Sequence, residues 1–312
     1  VSSPQALFNP ALKSSSRRTI STGTLANTAL GITVFLSGFV FFEPAPYELL
    51  LVLLLVVWFA FGLALHRGFL PLTFFILCFI CGGAIAATQK ADIASGFFYI
   101  VVTGFLATTS IFFAAVVAPR PEERIGVIFK AYCWAAIIGS LIGILAYFHL
   151  LPNSQTFLFG GRARGPFQDP NVFGPFLVLP TVFLLRNALI NPFLKSIWSL
   201  AGLLILIAAI FLAFSRAAWG LTALASLMMI AIVFITAPTR RLRSKIILVS
   251  VIMSFLLVGL FVVALSMDAV ASLFSERARL VQSYDSAQFG RFARYGYALQ
   301  WIMEGPLGYG FG

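Results

Sequence analysis

The chain has 312 residues, of which 60% are hydrophobic and only 10% charged, with a mean hydropathy of +0.99. Soluble domains run at about 25% charged residues, so this composition excludes a soluble enzyme and fits an all-α, polytopic helical membrane protein. The net charge of +11 does not mark a nucleic-acid partner, because no soluble module is present to read bases. In a multispanning chain such an excess marks cytoplasmic Lys/Arg and contact with membrane lipids.

Residues 1–24 are polar and basic, with Lys13, Arg17 and Arg18 and no cleavage motif. They read as a cytoplasmic tail and not as a signal peptide. Residues 25–266 form the helical bundle. A hydrocarbon core of ~30 Å needs about 20 helical residues, and on that ruler the sequence predicts nine spans: 25–42, 46–65, 69–87, 97–118, 125–151, 172–190, 197–214, 217–237 and 246–266. Cys78 and Cys81 form a CxxC inside an apolar run. It lacks the polar access and further ligands that zinc or redox chemistry needs, so both are expected to be small core residues, as is Cys133. Residues 267–312 open a large outer loop, expected to be incomplete. "DAVASLFSERARLVQSYD" and "SAQFGRFARYGYALQWIMEG" read as two amphipathic helices within it.

With a cytoplasmic N-terminus, twelve Lys/Arg fall on the inner side, with "TRRLRSK" the strongest anchor, and eight on the outer side; Lys130 lies within a span. The twelve favour this orientation. The eight outer charges run against the rule, and seven of them are arginine. Those seven occupy three places: Arg162 and Arg164 in the 152–171 loop, Arg216 in the tight turn of "AFSRAAWG", and Arg277, Arg279, Arg291 and Arg294 after the ninth span. Arginine presents a planar fork of donors that matches phosphate oxygens two at a time. Three such sites converging in a bundle would form an anion cradle, although an arginine near a span end also snorkels to headgroups.

The loop carries a second signal. Pro166 and Pro170 hold the residues before them extended, and Asp169 or Asn171 is placed to cap a helix starting near Val172. That helix N-terminus adds a positive dipole end in the same compartment. The outer carboxylates Asp169, Asp268, Glu276, Asp285 and Glu304 are scattered and form no DxD-like pair, and there is no P-loop.

Together "RARGPFQDPNVFGPFL", "FSRAAWG" and "FGRFARYGYALQWIMEGPLGYGFG" resemble the O-antigen ligase and polysaccharide polymerase family, in order and over roughly residues 97–312. The members are bacterial membrane glycosyltransferases that use polyprenyl-diphosphate-linked glycans. The resemblance implies a fold of about a dozen spans in the bacterial inner membrane, with the active face periplasmic. It implies Arg164, Arg216 and Arg291 as the grip on the donor diphosphate. Arg162, Asp169, Asn171, Arg277, Arg279 and Arg294 would support them, and a glycan or lipid A-core hydroxyl would be the acceptor. It places the catalytic base on a periplasmic histidine beyond Gly312, so the chain reads as a C-terminally truncated member; neither His66 nor His149 matches that position. A diphosphate is an activated leaving group, so arginines suffice for its departure and neither metal nor cofactor is expected. Transfer is expected to invert the anomeric centre. Two other classes stand beside this one. A transporter or flippase would bury ionisable groups at mid-membrane, where only Lys130 sits well within a span. A non-catalytic scaffold would tolerate Arg-to-Lys changes that a bidentate site would not.

Overall fold

Lipid offers no partner to backbone N–H and C=O groups, so apolar runs of this length satisfy them internally as helices. The computed structural model describes residues 22–60, 67–88, 93–278 and 290–305, and at 22, 93–95, 193–195, 291 and 292 the backbone alone. Its described α-helices, in chain order, are α1 (Thr22–Leu36), α2 (Pro46–Ala60), α3 (Leu70–Ala87), α4 (Ile93–Val117), α5 (Pro121–Tyr147) and α6 (Pro170–Ile190). There follow α7 (Phe193–Leu212), α8 (Arg216–Thr236), α9 (Arg240–Leu265), α10 (Asp268–Arg277) and α11 (Arg291–Glu304). Six of them, α3, α4, α5, α6, α8 and α9, are long and apolar enough to cross a membrane, and α1, α2 and α7 are shorter apolar helices. The chain is a polytopic helical membrane protein.

Helix ends depart from the hydropathy reading where local chemistry intervenes. The first span, predicted to reach residue 42, leaves the helix after Leu36. The segment that follows pairs with the 152–169 loop instead: Val40 N–H donates to Pro166 C=O at 2.8 Å, and Phe41 meets Phe157 edge to face. The fifth helix starts earlier than predicted, at Pro121, with Glu122 and Glu123 in its first turn, where proline's missing N–H costs nothing and acids suit the dipole. It stops at Tyr147, and His149 then takes a left-handed φ of 56°. Cys133 is buried as expected, but Cys78 and Cys81 are exposed, because none of the α3 apolar window is covered by protein.

α6 is the centre of the bundle: 56% of its apolar window is buried, and it packs against α7, α8, α5 and α9. Two features make that position possible. Gly174 lets α8 approach, since a Cβ there would stand 2.8 Å from Ala218 Cβ. Pro180 removes the N–H that would bond Phe176 C=O. Tyr132 Oη from α5 donates to that carbonyl at 2.6 Å, with its ring 4.6 Å from the Phe176 ring. At the far end of α6, Lys245 Nζ donates to Ala188 C=O at 3.2 Å and also to Asn191 C=O, a cation set on a helix C-terminus.

Candidate anion site

At the other end of the bundle the α7–α8 junction is almost without a loop. Phe214 sits at φ 45°, an unusual conformation for a bulky residue. Its ring holds it there, buried among Phe211 at 5.7 Å, Trp219 at 6.2 Å and Tyr147 at 6.3 Å. The next residue, Ser215, is extended and caps α8, its Oγ accepting from Ala218 N–H at 3.5 Å. Trp219 Nε1 reaches back to donate to Ile210 C=O at 3.1 Å. The turn is thereby fixed from both sides, and Arg216 is the first residue of the helix that follows.

The 152–169 loop supplies a second wall. A hairpin of β1 (Leu158–Phe159) and β2 (Arg162–Ala163) turns through Gly160 and Gly161, both at positive φ. Gly165, at φ 52°, lies so close to α5 that a Cβ would stand 2.9 Å from Gly139 C=O. This places Arg162 inward, with only 6% of its surface exposed. Its Nε donates to Ala213 C=O and its Nη2 to Asn171 Oδ1, both at 2.9 Å. Burying a guanidinium is costly unless its charge is compensated. Part of that compensation is the carbonyl end of α7, the negative pole of that helix.

The third wall is α10. It folds back onto the bundle through Val270, fully buried, and Phe274, whose ring lies 5.6 Å from Trp219 and 5.3 Å from Phe261. Gly161 at the hairpin tip faces Leu273 on this helix. Arg277, at the end of α10, points into the same space. Its Nε is buried and among the described residues has no hydrogen-bond partner, with Glu276 Oε1 3.8 Å away.

Between these walls is a cavity of about 210 Å³, lined by Arg162, Asn171, Phe214, Ser215, Arg216 and Arg277, with Ala217. Three guanidinium groups from three separate segments line it, and among the described residues no carboxylate does. The N-termini of α6 and α8 also lie there, adding the positive ends of two helix dipoles. Like charges brought this close repel one another, so the arrangement favours an anion between them.

The other residues singled out in the sequence fall elsewhere. Arg164 is two residues from Arg162, yet its guanidinium is spent on the loop itself: Nη1 on Gln168 C=O at 2.9 Å, Nη2 and Nε on Thr156 C=O at 3.0 and 3.2 Å. Asp169 is the N-cap of α6 and accepts from Asn171 N–H at 2.6 Å. Arg294 lies on α11 and is not among the residues lining the cavity. Arg291 begins α11, described by backbone alone, and Arg279 lies outside the described residues. The site residues that sequence reading missed are Phe214 and Ser215; the Ser-Arg pair was a helix-start signal, but nothing in the sequence announces a left-handed phenylalanine. No family model matches the chain, and neither the curated proteins nor the solved structures contain a match.

Proposed function

We propose that the chain is a membrane glycosyltransferase of the O-antigen ligase or surface-polysaccharide polymerase type, and that the three-arginine cavity holds the diphosphate of a polyprenyl-linked glycan donor. The convergence of Arg162, Arg216 and Arg277 on one cavity carries the reading. Its volume of about 210 Å³ is several times what one water needs, room for a polyatomic anion. The glycan then lies outside the cavity, where an acceptor can reach it.

In this reading the donor's lipid tail runs into the bilayer and its diphosphate sits among the guanidiniums. An acceptor hydroxyl attacks the anomeric carbon from the face opposite the diphosphate, giving up its proton to the histidine base that the resemblance implies. The bond from that carbon to the phosphate oxygen breaks, and the electron pair leaves on the diphosphate, which gains a negative charge. Fixed guanidiniums stabilise that growing charge more than they stabilise the ground state, which is the requirement for catalysis. Arg162 is already oriented by Ala213 and Asn171, so its alignment costs little when the donor arrives. The resemblance puts the cavity on the periplasmic face of the bacterial inner membrane, with the N-terminus cytoplasmic.

The test is transfer from a polyprenyl-diphosphate-linked donor by membranes containing the full-length protein. Arg216→Lys keeps the charge and loses the bidentate fork. It should slow transfer at least 100-fold at unchanged protein level, the order of loss when one preorganised donor is removed. Wild-type turnover by Arg216→Lys would sink the assignment and leave the arginines as anchors.

A further inference from the structure

Lys130 has no part in the site just described. It lies on α5, nine residues beyond Pro121, about 13 Å along the helix axis. Its side chain is exposed, and among the described residues it has no hydrogen-bond or ion-pair partner. An unpaired cation within a span calls for a compensating anion.

The surface around it is grooved on both sides. Lys130 and Trp134, one helical turn apart, form a ridge shared by two cavities. One, about 670 Å³, lies between α1 and α5; the other, about 410 Å³, lies between α5, α6 and α7. Both face outward from the bundle, since Trp134 is 62% and Ile32 49% exposed.

Both grooves have the same polarity gradient. α1 and α5 run parallel, as the contacts Asn27–Glu123, Gly31–Val127 and Gly38–Ala135 show. In the first groove Thr24, Asn27 and Thr28 therefore lie at the end away from the arginine cavity, and Ile32, Phe35 and Ile138 deeper. In the second, Asn187, Trp198 and Ser199 lie at that same end, with Ile137, Gly202 and Ile205 deeper. Glu123, bonded to the rim of the first groove, accepts from Asn27 and lies 3.5 Å from Arg120, so it does not cancel Lys130. A polar rim, a cation and two apolar troughs running the same way match one kind of molecule.

We infer that the Lys130–Trp134 ridge seats a diacyl anionic phospholipid from the leaflet opposite the arginine cavity, with its phosphate on Lys130 and one acyl chain in each groove. The inference does not rest on the glycosyltransferase reading. The lysine stem snorkels toward the polar rim and carries its charge to headgroup level. A zwitterionic headgroup brings its own cation to the phosphate. Lys130 therefore favours a headgroup of net negative charge by about 1 kcal/mol, the increment for one basic side chain near a membrane surface, or about 5-fold.

The experiment is native mass spectrometry of the full chain purified in detergent with equimolar phosphatidylglycerol and phosphatidylcholine of identical acyl chains. The wild type should retain one phosphatidylglycerol about 5-fold over phosphatidylcholine. Lys130→Gln should abolish that preference and Lys130→Arg preserve it. Ile32→Trp, which fills the first groove from an exposed position, should lower retention of both lipids. Equal retention by the wild type, a preference surviving in Lys130→Gln, or unchanged retention in Ile32→Trp would each overturn the inference.

Discussion

Arg162 and Arg164 share a loop and a chemistry and do different work. Arg162 is buried and bridges the end of α7 to the start of α6, and its remaining edge forms part of the cavity. Arg164 stitches Thr156 to Gln168 and keeps the loop shut. Their replacement should separate accordingly. Arg164→Ala removes charge-assisted bonds to two carbonyls and should cost about 2 kcal/mol of stability. Amide exchange should quicken across residues 153–169, while affinity for a prenyl diphosphate falls less than 5-fold. Arg162→Lys should leave the loop closed and weaken that affinity about 10-fold or more, because one ammonium cannot hold both Ala213 and Asn171 and still face the ligand. The reverse pattern, measured by exchange and by titration, would exchange the two roles. Spacing could not have told them apart. The strand carrying Arg162 ends at Ala163, and Gly165 at positive φ turns the chain, so alternation along a strand does not extend to residue 164.

The helices meet at points where one atom decides the fit. Phe176 C=O would be left without a partner by Pro180 if Tyr132 did not reach it, and an unpaired carbonyl in an apolar bundle costs about 1–3 kcal/mol. Tyr132→Phe should therefore lower the unfolding midpoint in detergent without moving the ring. Gly174→Ala puts a methyl 2.8 Å from Ala218 Cβ. The overpacking should cost about 1–3 kcal/mol and push apart the helix starts that frame the cavity, so stability and diphosphate affinity should fall together. A Gly174→Ala protein with wild-type stability and affinity would show that the α6–α8 approach does not set the site. Hydropathy located these helices because each is apolar over most of a bilayer's thickness. It misplaced the end of the first and the start of the fifth because the pairing of Val40 with Pro166 and proline at position 121 are decided residue by residue. Cys78 and Cys81 show the same limit: lipid and protein core are equally apolar, so hydropathy does not tell which face a cysteine takes.

Across the whole molecule, charge divides by end. One end gathers arginines from the hairpin, the α7–α8 turn and α10 around a cavity. The opposite half presents Lys130 between two outward grooves. The bundle between them is held by α6, and the aromatic cluster of Phe211, Phe214, Trp219 and Phe274 couples α10 to its end. The polytopic helical architecture was legible as a pattern in the sequence. Which arginines meet was not, because α10 reaches the cavity by folding back through Val270 and Phe274, a tertiary contact with no local signature. Calorimetric titration of farnesyl diphosphate into the purified full chain reads out whether Arg162, Arg216 and Arg277 form one diphosphate site. The expected result is saturable binding to the wild type, weakened about 10-fold or more by Arg216→Lys and by Arg277→Lys alike and unchanged by Arg294→Ala. No binding to the wild type, or equal affinity in all four proteins, would contradict it.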